Sequence, residues 1–426
     1  MAYSGHQFGH FNPYLGDGRA ILLGEVKNPA GEYIDIQLKG SGRTQYSRDG
    51  DGRAALGPVL REYLVSEAMA KLGVPTTRAL AAVATGEEVL RERRLPGGVI
   101  TRVANSFVRV GTFQHFAARG DEEAIKQLAD YVIKRNYPEL LDTENPYQAF
   151  LKAVVDRQAA LIAQWMQLGF IHGVMNTDNM SIAGETIDYG PCAFMDAYSH
   201  QQVFSSIDRD GRYAYNSQPG IGLWNLTRLA ESLVPLLADD GKMAVQVAKD
   251  ILKTYIDSYQ TAWLIGMRRK YGLTEDVDEN ITADDKSLIE ELLNVMADNS
   301  ADFTLTFNCL SNLDRHPTDA DSLLVDLFED SDQIRDWLVK WRERLKPEQR
   351  SDEARRNAMH AVNPVYIPRN HQIEAAIRAA EDRNDFTVFY ELHEVLQNPY
   401  TEQDGKENYK LPPEPEEVVL KTFCGT

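Results

Sequence analysis

The stretch HGVMNTDNM, His172 to Met180, lies between an apolar helical run and a short strand-like segment that closes on DYG, Asp188 to Gly190. Two hard oxygen donors stand here, the amide of Asn179 and the carboxylate of Asp188. Mg²⁺ favours such donors and fills the rest of its shell with waters and phosphate oxygens. Asp178 is the only acid within the stretch and is the natural group to draw a proton from an attacking hydroxyl. The competing reading makes Asp178 a turn-capping residue, which sequences such as NTDN favour.

Working outward, YLGDGRAILLGEV (Tyr14 to Val26) reads as a Gly-rich turn and an apolar strand, with Asn28 to Gly31 a turn. Gly16 and Gly18 would let backbone approach phosphates, although a G-x-G turn is more often only a turn. YIDIQLK (Tyr33 to Lys39) alternates apolar and polar residues, the period of a strand, and ends on a lysine. A Gly-, Asp- and Arg-rich loop follows, containing Asp51 and Gly52. GPVLREYLVSEAMAKLG then reads as a helix, with Pro58 in its first turn, Gly73 at its end and Glu62 inside it. TRALAAVAT and GGVITRVA are strand-like, and Arg102 and Arg109 flank a strand-to-loop segment. Beyond about residue 120 the spacing is mainly helical, over 121–135, 146–168, 240–271, 286–298 and 322–345. The tail from Asn398 is polar and Pro-rich, as a surface loop would be.

A lysine closing the strand after a Gly-rich hairpin, a helix glutamate to hold it, and an Asn and a D-x-G aspartate for metal are the parts of a protein kinase. The H-R-D acid of a kinase is absent, because Val174 occupies its place. The expected fold is α+β and protein-kinase-like, with two lobes. Residues 1–110 would form a small β-rich N-lobe with one key helix, and residues 111–426 a larger, mainly helical C-lobe carrying the catalytic loop and tail.

The chain has 426 residues, enough for two or three packed units. Its net charge of −19 argues against a general nucleic-acid binder. Residues 1–120 hold 15 Lys and Arg against 11 Asp and Glu, a balance of +4, so the remainder carries −23. That asymmetry suits an anion such as a nucleotide in the first part, although chance produces it as readily. Cys192, Cys309 and Cys424 have no C-x-x-C spacing, which argues against a zinc site or a disulfide scaffold and for the cytosol. No run reaches the roughly 18 apolar residues of a membrane span. MAYSGHQFGH has no signal-peptide pattern and enters directly into aromatic and Gly-rich sequence, as if a segment preceded it. His6 and His10 are four apart, but no helix is expected there to make them a metal pair. His393-Glu394 lacks the second histidine of a zincin, and GIGLWN near Gly220 reads as a turn with a core tryptophan.

Taken together, the motifs resemble the selenoprotein O (SelO) family, pseudokinases that act as protein AMP-transferases. The similarity covers essentially the whole chain. It rests on SGHQFGHFNPYLGDGRAILLGE, IQLKGSGRTQYSRDGDGRAALGPVLREYLVSEAM, TRVANSFVRVGTFQ, HGVMNTDNM with DYGPCAFMD, GRYAYNSQP and the closing CGT. The resemblance implies ATP bound in reverse relative to kinases, with the α-phosphate facing the acceptor. It implies that Gly16, Gly18 and Arg19 form the nucleotide loop and that Lys39 is the phosphate lysine with Glu62 its ion-pair partner. Asp51 and Gly52 would contact the turned nucleotide, and Arg102 and Arg109 the outer phosphates. Asp178 would accept the proton, and Asn179 and Asp188 would hold Mg²⁺ or Mn²⁺. The implied reaction moves AMP from ATP, or UMP from UTP, to Ser, Thr or Tyr hydroxyls of proteins, with no nucleic-acid or membrane partner and a monomeric enzyme. Family members are usually longer at the N-terminus. They carry Cys or selenocysteine at the position of Cys424, bridged in some relatives to a position that Phe204 fills here, so redox control by that bridge is not expected. An ordinary γ-phosphoryl kinase, or an inactive nucleotide-binding scaffold, are the alternatives. The absent H-R-D acid counts against the first and the complete set of Lys39, Glu62, Asn179 and Asp188 against the second.

Overall fold

The alternation of YIDIQLK becomes strand pairing in the computed structural model, which describes residues 1–274 and 279–423. A hairpin of β1 (Gly5–Gln7) and β2 (His10–Asn12) precedes a five-stranded antiparallel sheet. The sheet contains β3 (Ala20–Lys27), β4 (Tyr33–Lys39), β5 (Ala54–Ala55), β6 (Arg78–Leu90) and β7 (Arg94–Ala104). β7 pairs with β4, β5 and β6, and β3 pairs with β4. Between β5 and β6 runs α1 (Leu56–Lys71), stopped by Gly73 at φ +82°. Its apolar residues Leu60, Leu64 and Ala68 enter the main core. Its polar residues are buried as well, so each needs a partner. Arg61 donates to Asn370 Oδ1 at 2.9 Å, and Glu67 accepts from the Nε of Arg78 at 2.8 Å.

Helices dominate the rest: α2 (Val110–Ala117), α3 (Glu122–Asn136) and α4 (Pro146–Leu168). A two-stranded ladder of β8 (Phe170–Ile171) and β9 (Ala193–Phe194) follows, and the segment between these strands carries HGVMNTDNM and DYG. Then come α5 (Gln218–Leu237), α6 (Gly241–Lys270), α7 (Glu279–Asp298), α8 (Phe303–Leu310), α9 (Asp321–Val325), α10 (Ser331–Leu345), α11 (Asp352–His360), α12 (Asn370–Arg383) and α13 (Thr387–Val395). One hydrophobic core joins α1 to α2, α3, α4, α5, α12 and α13, and a second gathers α7, α8 and α10 with the end of α6. Buried Asp285 of α7 fastens the second, 3.0 Å from Arg268 and 2.5 Å from Arg344.

Two expectations change, and a third gains a detail. GIGLWN lies inside α5 and is not a turn, and its Trp224 is only half-buried. The run 322–345 is two helices, because Asp330 caps α10 by accepting from the Asp332 N–H at 3.1 Å. The tail does lie on the surface over much of its length, but Thr422 docks: its N–H donates to Phe204 O at 2.8 Å and its Oγ1 to Pro191 O at 2.6 Å. Cys424, and with it any bridge to the Phe204 region, lies outside the described residues. Among the described residues no helix is long and apolar enough to cross a membrane.

Candidate active site

Sheet register assembles the cationic wall of the site. Period two places Gln37 and Lys39 on one face of β4. Gln37 is paired with Arg102 of β7, so Arg102 rises beside it and donates to its Oε1 at 3.3 Å. Both cations then meet Glu62 of α1. Lys39 Nζ is 2.7 Å from Glu62 Oε2, and Arg102 pairs with Glu62 Oε1. Asp188 enters from the segment between β8 and β9 and gathers three cations. Its Oδ1 is 3.2 Å from Lys39 Nζ and 2.5 Å from Arg102 Nη2, and its Oδ2 is 3.1 Å from Arg109 Nη1. Burial alone would raise both carboxyls, yet Arg102 and Lys39 outweigh it, aided at Asp188 by Arg109. Glu62 is therefore held below the usual carboxylate range, and Asp188 well below it. Burial draws the Lys39 ammonium down.

The segment that carries Asp178 is fixed from both sides. Buried His172 places its Nε2 2.9 Å from Ile187 O, which ties the start of the loop to the strand-like run before Asp188. Asn179 Nδ2 donates to Val174 O at 3.0 Å, so the end of the amide left for a metal is its oxygen. Arg109 Nη1 donates to the backbone oxygen of Asp178 at 2.8 Å, and its guanidinium lies 4.7 Å over the Tyr3 ring. The Asp178 carboxyl is buried and poorly supplied with donors. Among the described residues Oδ1 has no hydrogen-bond partner, and Oδ2 accepts a long side-chain contact of 3.4 Å from Gln7 Nε2. Burial pushes this carboxyl up to about 6, against the pull of Arg109. A carboxyl in such surroundings has the proton affinity of a general base.

These groups line a cleft of about 800 Å³. Gly16, Gly18, Arg19, Lys39, Asp51, Gly52, Arg102, Arg109, Asp178, Asn179 and Asp188 all face it, and Glu62 stands behind Lys39. The structure thus brings together the residues expected to bind nucleotide and metal and to accept the proton. The details differ from the expectation at two places. Gly16 has a packing reason beside any phosphate: a Cβ there would lie 2.3 Å from Tyr46 Cγ. Asp51 is held by Arg91, whose Nη1 is 2.9 Å from Oδ2. Arg91 lies on the same cleft and gave no sequence signal beyond its charge.

Sequence reasoning missed the hairpin β1–β2, which covers the Asp178 loop. His6 N–H donates to Thr177 Oγ1 at 2.7 Å, and Phe8 N–H to Asn176 Oδ1 at 3.1 Å. These contacts join residues about 170 positions apart, as the separations of 171 and 168 show, so no local pattern could reveal them. The one available signal was the odd density of Gly and aromatic residues in GHQFGHF.

No group of three or more His, Cys, Asp or Glu side chains fit to hold a metal occurs among the described residues. The lining of the cleft does include the Asp188 carboxylate and the Asn179 amide. That pair fits a hard divalent cation which takes its remaining ligands from water and phosphate.

Comparison with known proteins finds one family over most of the chain. The family model described as "Protein adenylyltransferase SelO" matches residues 1–397. Among curated relatives, "Protein nucleotidyltransferase YdiU" of Rhizobium meliloti (strain 1021) is 60% identical over 426 residues, spanning all of this chain and 86% of the relative. Proteins of the same name from Rhodopseudomonas palustris (strain BisB5) and Bradyrhizobium diazoefficiens are each 58% identical, spanning all of this chain and 85% of the relative.

Proposed function

The chain belongs to the SelO family of protein adenylyltransferases, and on that footing we propose that it transfers AMP from ATP to a Ser, Thr or Tyr hydroxyl of a protein, releasing pyrophosphate. The observation that carries the reading is Asp178: a buried, donor-poor carboxylate on the wall of the cleft where Lys39, Arg102, Arg109 and Asp188 converge. The fold is read as two kinase-like lobes dividing near residue 110, with the cleft between them.

Lys39, Arg102 and Arg109 are the phosphate-binding cations. All three lie within ion-pair reach of Asp188, which with Asn179 would hold Mg²⁺ or Mn²⁺. When bound, that ion supplies charge neutralisation across the phosphates. Glu62 keeps Lys39 and Arg102 aimed into the cleft. The Asp178 carboxylate takes the proton of the acceptor hydroxyl as its oxygen attacks the α-phosphorus. The bond between the α-phosphorus and the bridging oxygen breaks, and pyrophosphate leaves with its electrons. Catalysis on this reading is placement plus electrostatics. Asp51 and Gly52 border the nucleotide, with Arg91 anchoring Asp51.

Asp178→Ala tests the assignment. It is expected to bind ATP as the wild type does in calorimetric titration while AMP transfer falls by roughly 10²-fold or more. Transfer at the wild-type rate would remove Asp178 from the reaction.

A further inference from the structure

The hairpin β1–β2 packs on Asp178 more closely than a passive cover would need to. Gly5 lies directly on the carboxyl: a Cβ at this position would stand 2.6 Å from Asp178 Oδ1 and 3.0 Å from its Cβ. Oδ1 is thus wedged beneath Gly5, buried and without a partner among the described residues. An incoming hydroxyl has to be met at the other oxygen, Oδ2, which has a side-chain donor in Gln7 Nε2 at 3.4 Å. Alternation along β1 puts Gly5 and Gln7 on the Asp178 side, while His6 turns away to pack edge-on against Trp224 at 5.2 Å. Gln7 also lines the nucleotide cleft.

The hairpin is held firmly enough to act as a reference surface. Its two-residue turn, Phe8 and Gly9, has φ of +50° and +86°. A phenylalanine with positive φ is costly and persists only where its surroundings fix it. They do so here. The Phe8 N–H donates to both Asn176 Oδ1 and Tyr213 Oη at 3.1 Å, and the Phe8 ring packs on Tyr213 at 5.0 Å between centroids. Thr177 Oγ1 accepts from His6 N–H at 2.7 Å and donates to Gln114 Oε1 at 2.6 Å. The residues on the N-terminal side of Asp178 are therefore bound to the hairpin backbone.

We propose that Gln7 is a positioning residue for proton removal: packed on Asp178 by the Gly5 contact, the hairpin turns Oδ2 toward the acceptor, and the Gln7 amide holds it there. The inference rests on the reading of Asp178 as proton acceptor. Long contacts of this kind tighten when substrates are bound.

The test uses the full chain, ATP labelled with ³²P at the α position, and mixed bacterial lysate protein at fixed concentration as acceptor. Gln7→Leu is expected to lower kcat for AMP transfer by roughly tenfold to a hundredfold, with KM for ATP within about twofold of wild type. In an Asp178→Ala background the same substitution is expected to cause no further loss, because its effect passes through Asp178. Gly5→Ala, which leaves Gln7 in place but pushes the carboxyl aside, is expected to reproduce the loss. The inference is overturned by wild-type turnover in Gln7→Leu or Gly5→Ala. It is equally overturned by a loss explained by weaker ATP binding, or by losses that add to that of Asp178→Ala. Failure of the underlying reading looks different: Asp178→Ala itself would then transfer AMP at the wild-type rate.

Discussion

Lys39 Nζ lies 3.2 Å from Asp188 Oδ1, a contact between residues 149 positions apart that ties the sheet to the segment following HGVMNTDNM. Lys39 is not the only cation on that carboxylate, since Arg102 and Arg109 also bind it. Removing Lys39 leaves neither Asp188 nor Glu62 as an isolated buried charge. Lys39→Met is therefore expected to fold with little change in melting temperature, yet to bind ATP at least tenfold more weakly, a difference of about 1.4 kcal/mol. Calorimetric ATP titration beside a thermal melt checks both halves.

Arg102 sits in the same network with the opposite balance. It is 2% exposed and touches both Glu62 and Asp188. Truncating it leaves Glu62 with Lys39 alone, takes the closest cation from Asp188 and removes the Arg102 donor from buried Gln37 Oε1. Arg102→Met is expected to destabilise the fold by about 3 kcal/mol, measured by denaturant unfolding. A stability equal to that of Lys39→Met would show that the two cations are interchangeable, contrary to this account.

Glu185 offers a pH test away from the chemistry. It is buried against Asn105, accepting from its Nδ2 at 2.7 Å, and burial pushes its carboxyl up from 4.5 to about 7. The unfolded chain therefore releases this proton near pH 4.5, while the folded chain keeps it until about 7. Folding stability from this group is full below the lower value, falls as pH rises between the two, and is level above. Glu185→Gln has no such titration. Its stability relative to wild type is expected to rise by at most about 3 kcal/mol between about pH 4.5 and pH 7.5, read by denaturant unfolding across that range. A flat difference would contradict the raised carboxyl.

Much of this site was legible because its parts are local. The alternation of YIDIQLK fixed which strand ends on Lys39, and Pro58 and Gly73 bracketed the helix that presents Glu62. Convergence of these residues on Asp188 was suggested by their order, but the hairpin that packs on Asp178 was not, since its bonds depend on chain closure. The misreading of GIGLWN has a physical cause. Gly222 looked like turn punctuation, whereas a Cβ there would stand 2.4 Å from Ile162 Cδ1 and 2.5 Å from Tyr255 Oη. The glycine serves the close approach of α5 to α4 and α6, which a local reading of glycine cannot distinguish from a turn.

The central claim is the direction of transfer, and ATP labelled with ³²P at either the α or the γ phosphate tests it most directly, with Mg²⁺ or Mn²⁺ and protein as acceptor. The account predicts label on protein from the α position alone, with pyrophosphate released, and loss of that label in Asp178→Ala. Label arriving from the γ position alone would mean phosphoryl transfer with the nucleotide in the opposite orientation, and would contradict it.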